Sequence, residues 1–159
     1  MARRSGDVFV LVGDGSYLMM NSELYSSVLS GHKMIVVVCD NGGYAVIDRL
    51  QVAQGGRSFN NLLEDSRVTE LRRVDFAAHA AAMGCEAINV NGIADLDSAL
   101  ERARRSSGTT VICIRTDPHA WTEGGAFWEV GVPEVSERVE VMAARRELEA
   151  GKSRQRVGW

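Results

Sequence analysis

The stretch DVFVLVGDGSYLMMNSELYSSVLSGHKMIVVVCDNGGY, residues 7–44, decides how this chain is read. It opens with an apolar run over 7–12 that stops at Gly13. A second run, over 34–39, stops at Asp40-Asn41-Gly42-Gly43. Neither run alternates with polar residues. A strand that is apolar at every position must be covered on both faces, the condition met in a parallel sheet. Between the runs Met20, Leu24, Val28 and Leu29 fall at helical spacing, and Gly31 follows as a C-terminal cap. Strand, helix, strand is the unit of a right-handed parallel crossover.

The alternation continues outward. The pattern predicts a short helix over 44–51, then an irregular polar stretch over 52–73 whose length marks it as functional or covered. DFAAHAAAMG, residues 75–84, reads as a helix with Asp75 as N-cap, alanines for close packing on a sheet, and Gly84 as stop. Residues 86–90 read as a third strand. Residues 96–105 read as a helix with Leu96, Ala99, Leu100 and Ala103 on one side. TTVICIR, residues 109–115, is rich in β-branched side chains and reads as a fourth strand. A loop bearing Trp121, Phe127 and Trp128 leads to a charged helix over 134–150, and the tail 151–159 is expected to fray. Strands alternating with helices place residues 1–150 in the α/β class, a three-layer domain with a largely parallel sheet flanked by helices.

Composition narrows the function. The chain has 159 residues, a net charge of −3, 45% apolar and 25% charged residues, close to an average soluble domain. It carries no basic excess of the kind that binds nucleic acid by bulk electrostatics. No apolar run approaches the roughly 20 residues of a membrane span, and MARRSGD does not read as a signal peptide. Cys39, Cys85 and Cys113 are odd in number, far apart and outside any C-x-x-C pair, so they read as small apolar residues of a reducing cytoplasm. His32, His79 and His119 are scattered singly, which argues against a zinc site.

Ligands of such sheets bind beyond the carboxyl ends of the strands. That directs attention to Gly13-Asp14-Gly15-Ser16 and to Asp40-Asn41-Gly42-Gly43. Each loop offers one short oxygen-bearing side chain, Asp14 or Asn41, flanked by glycine, which lets the backbone approach a ligand closely. The helix after Gly15 aims free N–H groups and a positive dipole end at the same edge. The assembly suits a hard cation carrying a phosphate, because Mg²⁺ takes about six oxygens, typically one or two carboxylates with phosphate and water. Asp14 supplies charge, and the Asn41 amide oxygen coordinates without further repulsion against a polyanion. Either turn alone is ordinary turn chemistry. The pair is more specific, since the 25 residues between Gly15 and Asn41 spell one helix and one strand.

Gly-Asp-Gly followed after 25 to 30 residues by Asn resembles the signature of thiamine diphosphate-dependent enzymes, here GDGSYLMMNSELYSSVLSGHKMIVVVCDN. The resemblance implies Asp14 and Asn41 as side-chain Mg²⁺ ligands and the Gly43 carbonyl as a third protein ligand. It implies that the metal holds the diphosphate of thiamine diphosphate, with the Gly15 and Ser16 amides on phosphate oxygens, Gly13 opening the motif and Tyr44 beside the site. The usual pattern ends in two asparagines; Asp40 takes the first place here and leaves the Asn41 ligand intact. VVVCDNGGYAVIDRLQ, SFNNLL, VDFAAHAAAMG and WEVGVPEVSE extend the match over about residues 7–149. They look like the carboxyl-terminal domain of one branch, the trihydroxycyclohexane-dione hydrolases of myo-inositol breakdown. GGAFWEVGVPEVSE favours that branch over acetolactate synthase.

For that branch the resemblance implies cleavage of a C–C bond beside a carbonyl of a cyclic dione and release by water of 5-deoxyglucuronate. It implies three domains in a longer chain, with active sites between subunits of a homodimer or tetramer. The glutamate that activates the cofactor belongs to a pyrimidine-binding domain, in cis or in trans, so no catalytic residue is assigned to this chain. By itself the chain is expected to be inactive and clipped before its first strand. Neither nucleic acid nor membrane is an expected partner. Two other classes compete. A Rossmann-like nucleotide binder needs a third glycine that Gly13-Asp14-Gly15-Ser16-Tyr17-Leu18 lacks. A non-catalytic fragment or interaction module would keep the turns without the cofactor. Asn60 and Asn61 read as loop hydrogen-bonding residues, His79 and the three aromatics as packing, and His32 as solvated.

Overall fold

A computed structural model describes residues 6–122 and 129–156. The expectations for Phe127, Trp128 and residues 157–159 lie outside them. The described chain forms two compact units, Met1–Gly43 with Thr69–Asp117, and Tyr44–Val68 with Pro118–Trp159.

The first unit holds the sheet. Strands β1 (Phe9–Gly13), β2 (Ile35–Asp40), β3 (Glu86–Val90) and β4 (Thr110–Arg115) are parallel in the order β1-β2-β4-β3. Helices α1 (Asp14–Met20), α2 (Ser22–Ser30), α4 (Phe76–Ala82) and α5 (Ile93–Arg105) flank it, with α3 (Ala45–Ala53) in the other unit. On one face Val36, Val38, Val111 and Cys113 pack with Tyr17, Leu24, Phe76 and Ala80. On the other, Ile35, Val37, Ile112 and Ile114 pack with Ala99 and Ala103 of α5. Every residue from Ile35 to Val38 and from Thr110 to Ile114 is buried, which is why both segments are unbrokenly apolar or β-branched. Full burial of each Ile or Val side chain contributes about 1.5–3 kcal/mol.

Strand β1 departs from that expectation. Phe9 and Leu11 are paired in register with Ile35 and Val37, on the α5 side. Yet α5 packs mainly on β2, β3 and β4 and reaches β1 through the Arg104 guanidinium, 5.7 Å from the Phe9 ring centre, so Phe9 and Leu11 stay 42% and 72% exposed. The crossover helix is also two helices, divided at Asn21. The Asn21 amide nitrogen donates to the Leu18 carbonyl at 3.0 Å, the local competition that makes asparagine a poor residue for a helix interior. The caps fall where the sequence puts them. Asp75 Oδ1 accepts the Ala78 N–H at 2.9 Å, and Gly31 and Gly84 take φ of +67° and +88° after α2 and α4.

The second unit pairs α3 and a single 3₁₀ turn (Leu63–Asp65) with α6 (Val139–Arg154). Gly55, at φ +81°, lies so close to α6 that a Cβ would stand 2.4–2.6 Å from the backbone of Glu140 and Val141. Helix α6 starts later than the predicted residue 134, because the Ser136 hydroxyl accepts the Arg138 N–H at 3.1 Å and forms a turn before the helix. It runs through the buried Gly151 to Arg154, past the expected end at residue 150. Val132, Val141 and Leu148 form its small core. Among the described residues no helix is long and apolar enough to cross a membrane.

Candidate functional site

Because β1 and β2 are adjacent and parallel, with Gly13 opposite Cys39, both glycine turns leave the sheet at the same edge. Asp14 is the first residue of α1 and only 4% exposed. Its Oδ1 accepts the Asn41 backbone N–H at 3.3 Å. The inward atom of the Asn41 amide lies 3.0 Å from Asp14 Oδ1 and 2.9 Å from the Gly43 carbonyl oxygen. The two ends of an amide have nearly the same shape. With nitrogen inward, Asn41 donates to both neighbours. With oxygen inward, three oxygens face one another, an arrangement that repels unless a cation lies among them.

Separations of 2.9 and 3.0 Å are those of ordinary N–H···O hydrogen bonds, and they bring the three groups within reach of one another. One carboxylate, one amide and one carbonyl form a hard-oxygen set that fits Mg²⁺.

Gly42 and Gly43 have φ of +80° and +142°, conformations that L side chains rarely adopt, and they turn the Gly43 carbonyl inward. Burial pushes the Asp14 carboxyl above its usual range, and the nearby Asp40 charge adds to this. The N–H groups of Asn41 and Gly43 oppose the shift without cancelling it. A cation at this point would relieve the cost of the buried charge.

Gly13, Asp14, Gly15, Ser16, Asn41 and Gly43 therefore share one edge of one unit, Gly15 buried and Ser16 exposed. Tyr44 opens the second unit as the N-cap of α3, with its N–H donating to the Asn61 carbonyl at 2.7 Å. A cavity of about 520 Å³ opens along the carboxyl edge of β2, β4 and β3, lined by Asp40, Arg73, Asp75, Asn89, Asn91 and Arg115.

Arg73 is the site residue that the sequence reading missed. It pairs with Asp40 at 3.5 Å, while the neighbouring Arg72 turns outward to Glu70 at 2.7 Å. The available signal was Asp40 itself, a charge where the motif usually has a neutral amide and hence a demand for a counter-ion. His79 packs and Asn60 and Asn61 hydrogen-bond from their loop as expected, whereas Trp121, expected to pack, is 51% exposed. His79 Nδ1 lies 2.9 Å from the Tyr17 hydroxyl in a packed cluster with Phe76. Asn60 Oδ1 accepts the Arg67 N–H at 3.3 Å, and Asn61 donates to Gln51 at 2.7 Å. The Arg49 guanidinium lies 4.5 Å from the Trp121 ring centre.

Residues 1–114 match the family described as thiamine pyrophosphate enzyme, C-terminal TPP binding domain. The 3D-(3,5/4)-trihydroxycyclohexane-1,2-dione hydrolase of Listeria monocytogenes is 37% identical over 150 residues, 94% of this chain and 23% of that protein. The 3D-(3,5/4)-trihydroxycyclohexane-1,2-dione hydrolase 2 of Bacillus cereus is 36% identical over 151 residues, 91% of this chain and 23% of that protein. The chain thus spans about a quarter of the length of the curated relatives it matches. Among solved structures, the thiamine diphosphate-dependent 4-hydroxybenzoylformate decarboxylase of Rhodococcus jostii RHA1 superposes with a TM-score of 0.61 at 22% identity, covering 70% of this chain and 20% of that one. At that identity the likeness speaks for the fold alone.

Proposed function

The chain belongs to the thiamine pyrophosphate enzyme family, through its C-terminal cofactor-binding domain, and from that premise we propose that it anchors the diphosphate of thiamine diphosphate through Mg²⁺. The observation that carries the reading is the convergence of Asp14, Asn41 and Gly43 at 2.9 and 3.0 Å. With its nitrogen inward the Asn41 amide donates to Asp14 and Gly43. With its oxygen inward, Asn41, Asp14 and the Gly43 carbonyl would hold Mg²⁺, Asp14 offsetting part of its charge, and the ion would bridge the chain to phosphate oxygens. The N–H groups of Gly15 and Ser16 receive the phosphate at the start of α1.

When bound, thiamine diphosphate supplies the nucleophilic carbon that cleavage beside a carbonyl requires. This chain's part is to bind and orient. The group that activates the cofactor belongs to a pyrimidine-binding domain, and residues 1–150 form the diphosphate domain of a longer, cytoplasmic, homo-oligomeric enzyme. The reaction we assign to that enzyme is hydrolytic opening of 3D-(3,5/4)-trihydroxycyclohexane-1,2-dione to 5-deoxyglucuronate. Its support is the shared name of relatives 36–37% identical over more than nine-tenths of this chain.

Titration calorimetry of thiamine diphosphate into the chain tests the anchor. Binding is expected with Mg²⁺ and not with chelator, and Asn41→Ala is expected to weaken it by at least about tenfold, one charge-assisted contact's worth. Absence of heat with wild-type protein and Mg²⁺ would contradict the reading. Consumption of the dione by the longer enzyme tests the substrate.

A further inference from the structure

Asp40 carries a charge that the shape of its turn does not require. Its Oδ1 accepts the Gly42 N–H at 3.1 Å, a bond that an asparagine oxygen makes equally well. As a carboxylate it adds negative charge beside Asp14, at an edge where the proposed ligand is itself a polyanion. The Asp40 side chain is only 12% exposed, so water screens it poorly.

Arg73 meets this charge. Its Nη1 lies 3.5 Å from Asp40 Oδ1. Its guanidinium also lies against Gly42, where a Cβ would come within 3.2 Å of both Nη1 and Nη2. One side chain thereby touches the residues on both sides of Asn41. Arg73 also stands two residues before Asp75, the N-cap of α4, so its place is fixed by a segment remote in sequence from the turn.

We propose that Arg73 is the positioning residue of the Asp40–Gly43 turn: by pairing with Asp40 and lying on Gly42, it cancels a charge that opposes a diphosphate and holds the Asn41 side chain and the Gly43 carbonyl beside Asp14. Arg73 acts through Asp40, not by touching the ligand. The ligand half of this inference rests on the cofactor reading above, whereas the clamp itself exists in the ligand-free protein.

The test uses Arg73→Ala, Arg73→Lys, Asp40→Asn and the double variant Arg73→Ala/Asp40→Asn. Hydrogen exchange of the Asn41 and Gly42 amides reads the clamp without ligand, and calorimetry with inorganic pyrophosphate and Mg²⁺ reads its consequence. Arg73→Ala is expected to speed exchange at both amides and to weaken pyrophosphate by about tenfold, the scale of one charge-assisted pair. Arg73→Lys keeps the charge and is expected to recover most of the affinity. Once Asp40 is neutral the arginine is dispensable, so the double variant should bind within about twofold of Asp40→Asn alone, the limit of additivity between uncoupled sites. An equal loss from Arg73→Ala in both backgrounds would overturn the proposal in favour of direct contact with the anion. Unchanged exchange in Arg73→Ala would overturn the clamp. Wild-type protein that fails to bind pyrophosphate contradicts the cofactor reading instead, and the exchange data then decide the clamp by themselves.

Discussion

Asp14→Asn is expected to stabilise the ligand-free protein while abolishing its response to Mg²⁺. The carboxylate is 4% exposed, accepts the Asn41 backbone N–H at 3.3 Å and lies near the Asp40 charge, its upward shift opposed by the Gly43 N–H as well. Asparagine keeps the shape and the acceptor and removes the charge. Removing an incompletely compensated buried charge is worth on the order of 1 kcal/mol, or about 2–4 °C in melting temperature for a chain of this size. Wild-type protein at a ligand concentration one hundred times its dissociation constant gains about 2.7 kcal/mol, roughly 5–11 °C. The variant gains nothing, so the order of the two melting temperatures inverts when Mg²⁺ and thiamine diphosphate are added. Acidity sharpens the test. The folded protein holds the Asp14 proton above the usual 3.8, so ligand-free stability is full below that pH and is lost as pH rises through the folded value. The variant lacks this loss, and its advantage grows through that window and then levels off. Calorimetric melting with and without ligand, repeated across pH, measures all of this. A variant that keeps the full wild-type ligand shift, or that melts several degrees lower without ligand, would refute the reasoning.

The small hard-oxygen set predicts that Mg²⁺ and Mn²⁺ support cofactor binding and that Ca²⁺, which takes longer bonds and more ligands, does so more weakly, read by calorimetry with each metal. Burial, aided by nearby thiol charges, pushes Tyr17 up to about 12, so folding stability should fall between pH 10 and 12. Tyr17→Phe should cost about 1 kcal/mol at neutral pH, from the lost bond to His79, yet show a shallower alkaline decline in urea titrations. Gly55→Ala sets a Cβ within 2.6 Å of the α6 backbone at φ +81° and should cost at least about 2 kcal/mol in the same assay.

What the sequence revealed and what it hid follow from the range of the forces involved. Ile35 to Val38 is legible because burial on both faces demands an apolar residue at every position. Asp75, Gly31 and Gly84 are legible because caps are local backbone chemistry. Asp14 and Asn41 are legible because a helix and a strand of fixed length return the chain to the same edge. Phe9 and Leu11 misled, because composition records that a strand is apolar and not which helix reaches far enough to cover it. The break at Asn21 was hidden by apolar residues in phase on both sides of it. Arg73 was invisible for a different reason: its partner Asp40 lies 33 positions away across a stretch with no periodic pattern, and only the assembled unit joins them.

The most direct measurement is anomalous scattering from crystals grown with thiamine diphosphate and Mn²⁺ in place of Mg²⁺. One manganese peak is expected within bonding distance of Asp14 Oδ1, the Asn41 amide oxygen and the Gly43 carbonyl oxygen, the three groups that converge at this edge. A manganese peak bound elsewhere, or cofactor held with no metal among those three oxygens, would contradict it.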